Sequence, residues 1–323
     1  MGILIVPNPT FFLSVDTEAD DQWSVEGRRR LSLQNVHCLP RLQTLCERYA
    51  VRPTYLVTHE MATTAESSDV LVQLRETGQC EIGAHLHPWS SPPFRDEDLR
   101  GSYPCQLPDA LLERQLIELT EAIENHLGVR PTSYRAGRYG LDGRILQHLE
   151  SLGYLVDSSV DPLFNERRLG GPSFAGAPII PYYPDTREVC RPGESAVLEI
   201  PLSAETLPRM PKFIETSYVS LSPRRRGALK RLGLRPAYLR PSYSPTSDAI
   251  ALADGLVARG VPTLNMMFHS SELLPGGSPY NVEADDVERF YDSLEQIIGH
   301  IVTDLNAIPL TYSEFGAQQR SLC

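Results

Sequence analysis

Apolar runs the length of a β-strand alternate with amphipathic helical stretches along most of this chain, and that alternation limits its fold more than any other feature. Residues 11–15, 54–58, 80–85, 132–137, 154–160 and 263–268 read as strands. Between them, apolar residues recur at helical spacing. The clearest case is 110–127, where Leu112, Leu116, Leu119, Ile123 and Leu127 step by three and four and Gly128 stands at the stop position. Helices are also expected over 35–50, 67–77, 143–152, 287–305 and 247–258, the last with Ser247 as N-cap and Gly260 as stop. A final strand is expected over 308–312. Repeated β-then-α units bring successive strands together in parallel, so the expected class is α/β, with a parallel sheet or a barrel. The stretch 161–245 breaks the rhythm. It is rich in Pro and Gly, with 197–200 as its best strand, and reads as an elaborated insertion in a single domain covering 1–323. No repeat of 20–50 residues is visible, which excludes a solenoid.

The same pattern orders the polar residues. Asp16, His85, Arg135, Asp157 and His269 all fall at or near the C-terminal end of an expected strand, the rim on which parallel α/β architectures build their chemistry. His85 and His87 carry the most information. They stand two residues apart at the end of a strand, in the run Glu81-Ile82-Gly83-Ala84-His85-Leu86-His87-Pro88-Trp89. Side chains at i and i+2 share a face, about 7 Å apart along the strand, and two imidazoles so placed can turn inward onto one metal ion. Asp16, Glu18, Asp20 and Asp21 supply the carboxylates that could complete such a site. His37, His126, His148 and His300 fall on expected helices and read as structural or exposed.

Bulk properties exclude other classes. With 41% hydrophobic and 22% charged residues, the 323-residue chain has ample material for a core. A net charge of -11 argues against general nucleic-acid binding, which leaves a basic footprint. The one dense basic run, from Arg224 to Arg231, reads as a solvated helix face. No stretch approaches the ~20 apolar residues of a membrane span. The run Ile3-Leu4-Ile5-Val6 is broken by Pro7 and lacks a basic flank, so a cytoplasmic location is expected. Cys38, Cys46, Cys80, Cys105, Cys190 and Cys323 form no C-x-x-C pair and read as free thiols.

Five segments in order resemble the metal-dependent polysaccharide deacetylases of the NodB-homology type, carbohydrate esterase family 4, in a divergent branch with an H-x-H-P-W segment. They are Leu13-Ser14-Val15-Asp16-Thr17-Glu18; Glu81 to Pro88; Tyr134-Arg135-Ala136-Gly137-Arg138-Tyr139-Gly140; Tyr154-Leu155-Val156-Asp157-Ser158-Ser159; and Leu264-Asn265-Met266-Met267-Phe268-His269-Ser270. The resemblance implies a distorted (β/α)7 barrel, one divalent metal, and hydrolysis of an N-acetyl group on a sugar or glycoconjugate. It implies Asp16 as general base, Arg135 as the arginine that orients it, His269 as general acid and Asp157 as that histidine's support. His85 and His87 become metal ligands. The common pattern places the metal carboxylate directly after the base, where this chain has Thr17; branches that place it one residue later give Glu18, and Asp20 and Asp21 stay open. Mixed N/O ligation favours zinc, with cobalt, nickel, manganese and iron compatible by ligand type. Trp89 and Tyr139 are candidates for substrate contact, with packing as their alternative use. Two other functions fit less of the sequence: a different metal-dependent amidohydrolase, which would want a later lysine and further strand-end histidines, and a non-catalytic carbohydrate-binding relative. The sequence leaves the sugar, its carrier and the oligomeric state open.

Overall fold

Seven parallel strands curl into a half-barrel that brings the strand-end residues to one rim. They are β1 (Thr10–Thr17), β2 (Thr54–Val57), β3 (Glu81–Leu86), β4 (Ser133–Ala136), β5 (Val156–Asp157), β6 (Leu198–Glu199) and β7 (Thr263–His269). They run in the order β7-β1-β2-β3-β4-β5-β6, and a two-residue strand β8 (Ile308–Pro309) adds to the start of β1. The protein is represented by a computed structural model that describes residues 8–94 and 96–321. The run Ile3–Val6, Pro7 and Cys323 lie outside the described residues.

The edges β6 and β7 are not joined by a ladder. Individual bonds bridge them instead. Ser203 N–H donates to the Asn265 carbonyl at 3.1 Å, and Asn265 N–H donates back to Ser203 Oγ at 2.9 Å. The Asn265 side-chain amide reaches the Ile200 and Pro201 carbonyls at 3.0 and 3.1 Å. This is the expected barrel in distorted form, with one seam closed by individual backbone and side-chain bonds rather than by a strand ladder.

Strand parity decides what faces the barrel axis. On β1, Phe11, Leu13 and Val15 point outward into the main core, while Phe12 joins an inner cluster with Leu56, Val156, Leu198, Ile200 and Tyr312. Ser14 and Asp16 therefore face inward. Register aligns Asp16 with His269 across β1 and β7, and His85 with Arg135 across β3 and β4. The outer helices cover the other face. They include α1 (Leu39–Glu47), α2 (Ala65–Glu76), α3 (Asp109–Leu127), α4 (Gly143–Leu152), α5 (Thr246–Ala258) and α6 (Ala284–Gly299). On α3 the five apolar residues of the three-and-four pattern are all fully buried, each worth roughly 1.5–3 kcal/mol removed from water. The helix stops at Gly128, whose φ of 65° suits glycine.

Several sequence expectations need correction. The strand expected over 154–160 has only Val156–Asp157 in the ladder. Ser247 is not a cap: α5 begins at Thr246, directly after Pro245, with no side-chain cap. The helix expected to 305 ends at Gly299 and loosens into a π turn over His300–Asp304. The last strand stops at Pro309, and an unforeseen helix α7 (Tyr312–Arg320) follows. Within 161–245 the chain forms two antiparallel pairs, Pro184–Asp185 with Glu188–Pro192 and Ala204–Leu207 with Arg235–Tyr238. The basic run lies on the helix Pro223–Arg231, with Arg224, Arg225 and Lys230 exposed. The described cysteines are all free thiols. Among the described residues, no helix is long and apolar enough to cross a membrane.

Candidate active site

At the C-terminal rim a cavity of about 250 Å³ opens over Asp16, Glu18, His85, His87 and His269. Behind Asp16 stands Arg135, which is fully buried and projects inward from β4. Its guanidinium donates to Asp16 Oδ1 at 2.5 Å, to Ser14 Oγ at 2.9 Å, to Tyr312 OH at 2.9 Å, and to Ser158 through both its carbonyl and Oγ at 2.7 and 3.1 Å. Nε, Nη1 and Nη2 of the fork all take part, Nη2 being shared among three hydroxyl oxygens, and the Nη1 bond holds Asp16 in place. Burial works to raise the Asp16 carboxyl, but Arg135 and the histidines His85 and His269 outweigh it and hold the group below its usual value. Asp16 is therefore ionised, with Oδ2 turned toward His85 and His269 at 3.8 and 3.9 Å.

Glu18, His85 and His87 converge beside it. Each offers one ligand atom, and the three atoms lie within 4.8 Å of one another. His87 Nε2 is 2.8 Å from Glu18 Oε2 and 2.8 Å from His85 Nε2. His85 Nδ1 lies 2.9 Å from the Arg135 carbonyl; a carbonyl only accepts, so the proton is assigned to Nδ1 and the lone pair of neutral His85 to Nε2. Two imidazole nitrogens and a carboxylate oxygen, all buried, thus crowd one point. A single proton on His87 Nε2 satisfies only one of its two neighbours, whereas a cation suits all three. Burial pushes the His87 ring down to about 4, and the neighbouring His85 adds to this, so His87 is a neutral ligand at neutral pH. The donor set fits a divalent ion that takes mixed N/O ligands.

Local sequence explains the placement. His85 and His87 share the inward parity of β3, and Gly137 makes room for the second ring. A Cβ at Gly137 would come within 3.3 Å of the His87 ring and 2.4 Å of the Leu86 carbonyl. Trp89 packs edge-on against His87 with centroids 4.1 Å apart, and its indole N–H donates to Gln22 at 2.7 Å. Trp89 lines the cavity but is nearly buried, so its main contact is with His87. Tyr139 also lines the cavity; its ring packs on Phe164 and its hydroxyl reaches Met267 Sδ at 3.4 Å.

The structure separates the remaining acidic candidates. Asp20 spends both oxygens on the loop ahead, accepting from Ser32 Oγ, Gln34 N, Asn35 N and Asn35 Nδ2. Asp21 accepts from Ser24 Oγ at 2.8 Å. Of the open carboxylates, Glu18 is the one brought to the histidines.

Asp157 is not brought to His269. It pairs in register with outward-facing Tyr134, so its side chain points away from the barrel axis. There it accepts from Ser159 Oγ at 2.7 Å and lies against Glu199. Burial, and for Glu199 the charge of Asp157, push both carboxyls upward, so the pair shares a proton. The support of His269 comes from Glu272, one helical turn onward. Its Oε1 lies 2.9 Å from His269 Nδ1 and 2.8 Å from the Arg240 guanidinium. Nδ1 thus sits between the Glu272 carboxylate, which only accepts, and an Arg240 N–H at 2.9 Å, which only donates, and Nε2 faces Asp16 and Glu18, each at 3.9 Å. Burial works to raise Glu272, but Arg240 and then His269 bring it down to about 2. Sequence reasoning missed Glu272, Arg240, Ser14, Ser158, Asn265 and Tyr312. Parity on β1 marks Ser14 as inward, and parity carried on from Val156 does the same for Ser158.

No family model matches the chain, and no curated protein sequence does. Solved structures do. A candidate polysaccharide deacetylase from Mycobacterium smegmatis aligns over 98% of this chain and 92% of its own, with TM-score 0.57 and 15% identity. A candidate glycoside hydrolase/deacetylase from Parabacteroides distasonis aligns over 97% of this chain and 72% of its own, with TM-score 0.62 and 15% identity. A 4-alpha-glucanotransferase from Thermococcus litoralis aligns over 96% of this chain but 40% of its own, with TM-score 0.54 and 13% identity. The resemblance read from the sequence is borne out at the level of fold: the chain shares its barrel with these deacetylase structures. The glucanotransferase carries a similar barrel, so the reaction has to be argued from the site.

Proposed function

We propose that the chain is a metal-dependent hydrolase that removes an N-acetyl group from a sugar or glycoconjugate. The observation that carries this reading is the convergence of Glu18, His85 and His87 beside an Arg135-locked Asp16, with His269 facing them. Glu18 Oε2 and the Nε2 atoms of His85 and His87 would hold the ion, zinc being the first choice for such donors. When bound, it supplies Lewis acidity, which polarises an amide carbonyl and makes water a better nucleophile.

The chain's own groups do the proton work. Asp16, kept ionised and oriented by Arg135, is the general base, with Oδ2 positioned to accept a proton from attacking water. His269 is the general acid. Glu272 fixes its ring so that Nε2 faces the cavity and can protonate the departing amine. Trp89 holds His87, and Tyr139 lines the substrate's entry. A cavity of about 250 Å³ sits just below the ~300–1,000 Å³ of sites for drug-sized ligands, which suits one sugar unit at a time.

The test is acetate release from N-acetylated amino sugars by zinc-loaded protein. Release that disappears in Asp16→Asn while zinc stays bound supports the assignment. Undiminished release in that variant removes Asp16 as base. Zinc binding with no release from any N-acetylated sugar favours the non-catalytic carbohydrate-binding reading.

A further inference from the structure

The chain carries a net charge of -11, yet three arginines line the cavity: Arg28, Arg138 and Arg240. Their surroundings differ. Arg240 is buried and ion-paired with Glu272 at 2.8 Å, so its charge is answered behind the wall. The two carboxylates lining the cavity have their own places as well: Asp16 is ion-paired with Arg135, and Glu18 belongs to the candidate cation site with His85 and His87. Arg138 is different. Its guanidinium lies 3.9 Å over the Tyr103 ring and donates to the Tyr103 hydroxyl at 2.8 Å. Among the described residues no carboxylate lies within ion-pair distance of it. Arg28 stands close by, stacked 4.8 Å over Trp89. Burial depresses the Arg28 guanidinium and the nearby charge of Arg138 adds to this, while Glu18 and Asp21 oppose it.

The backbone supports a built feature. Arg138 and Tyr139 both adopt left-handed conformations, with φ of 53° and 57°. Two successive non-glycine residues in that region carry strain, of the kind that persists where surrounding structure imposes it and that clusters at binding sites. Here it presents Arg138 and Tyr139 together to the cavity. A pair of neighbouring guanidiniums beside a sugar-sized space is a receptor for an anion, since the planar fork matches a carboxylate or phosphate.

We propose that Arg138, with Arg28 beside it, forms an anion subsite in the cavity, so that the preferred substrate is an N-acetylated sugar bearing a carboxylate or phosphate group. This inference rests on the reading of the cavity as a sugar site and names the substrate class within it.

Binding alone tests the proposal, without turnover. The chain has two tryptophans, Trp23 and Trp89, and both line the cavity, so intrinsic fluorescence reports its occupancy. The probes are N-acetylglucosamine, its 6-phosphate, and N-acetylmuramic acid, titrated with and without added zinc to separate anion capture by the metal from capture by arginine. One or both anionic sugars are expected to bind about tenfold tighter than the neutral one, and the advantage should shrink as salt rises. Whichever of the two shows it identifies phosphate or carboxylate as the favoured group. Arg138→Gln should abolish the preference and Arg138→Lys retain part of it. The salt series on the parent protein needs no variant to fold. Equal binding of neutral and anionic sugars overturns this proposal alone; binding of none overturns it together with the sugar reading.

Discussion

His269 is held by a different carboxylate from the one its motif suggests. Asp157 lies on the outward face of β5, whereas Glu272 touches His269 Nδ1. A positioned general acid is worth about 10²–10⁴-fold, and loosening its ring forfeits part of that, about 10–100-fold. Glu272→Gln should therefore lower kcat by roughly that factor and distort the pH–rate profile, while Asp157→Asn leaves both near the parent values. The reverse outcome would restore the sequence-based assignment. A second residue gives a stability test. Asp161 is buried, accepts from Leu163 N–H at 2.9 Å, and is raised by that burial from 3.8 to about 6. A carboxyl raised in the folded state favours folding when protonated, so its contribution is present below about pH 4 and is lost as pH rises through 6. From that shift, the loss is at most about 3 kcal/mol. Asp161→Asn should flatten the denaturation free energy between pH 4 and 6 and raise it near pH 7. An unchanged slope would show that Asp161 does not titrate there.

Most elements were legible because their signals are local. The pattern of α3, the glycine stop at Gly128 and the bounds of β7 need only a few residues of context. The strands β5 and β6 were located but not bounded: 154–160 and 197–200 were expected, and only Val156–Asp157 and Leu198–Glu199 pair, because the length of a ladder in a curled sheet is set by its neighbours, which no local window reveals. Helix α7 was missed although it carries a capping box, with Thr311 Oγ1 accepting from Glu314 N–H and the Glu314 carboxylate accepting from Thr311 N–H. The cost of missing it is functional, because α7 delivers Tyr312 to the floor of the site. Its hydroxyl meets Arg135, Ser14 and Asn265 at 2.9, 3.0 and 2.8 Å. Tyr312→Phe keeps the ring but leaves those buried groups short of a partner, which should cost about 1–3 kcal/mol in a denaturant titration and weaken turnover through Asp16. No loss of stability would mean that water or a neighbour takes the hydroxyl's place.

At the scale of the molecule, the fold holds at 13–15% identity to solved barrels because the architecture depends on strand parity and register rather than on particular side chains. The site asks more. His85 and His87 were readable as a same-face pair. The choice of Glu18 over Asp20 and Asp21 was not, because it depends on how the loop after β1 folds back on Asn35 and Ser32. The central claim is that this loop and β3 together build one cation site. It is tested most directly by titrating metal-stripped protein with zinc and counting ions per chain, alongside Glu18→Ala and His87→Ala. One tightly bound zinc per chain is expected in the parent, with a melting temperature that rises with zinc concentration, and loss of tight binding in both variants. A parent that takes up no zinc, or variants that bind it as well as the parent, would contradict the account.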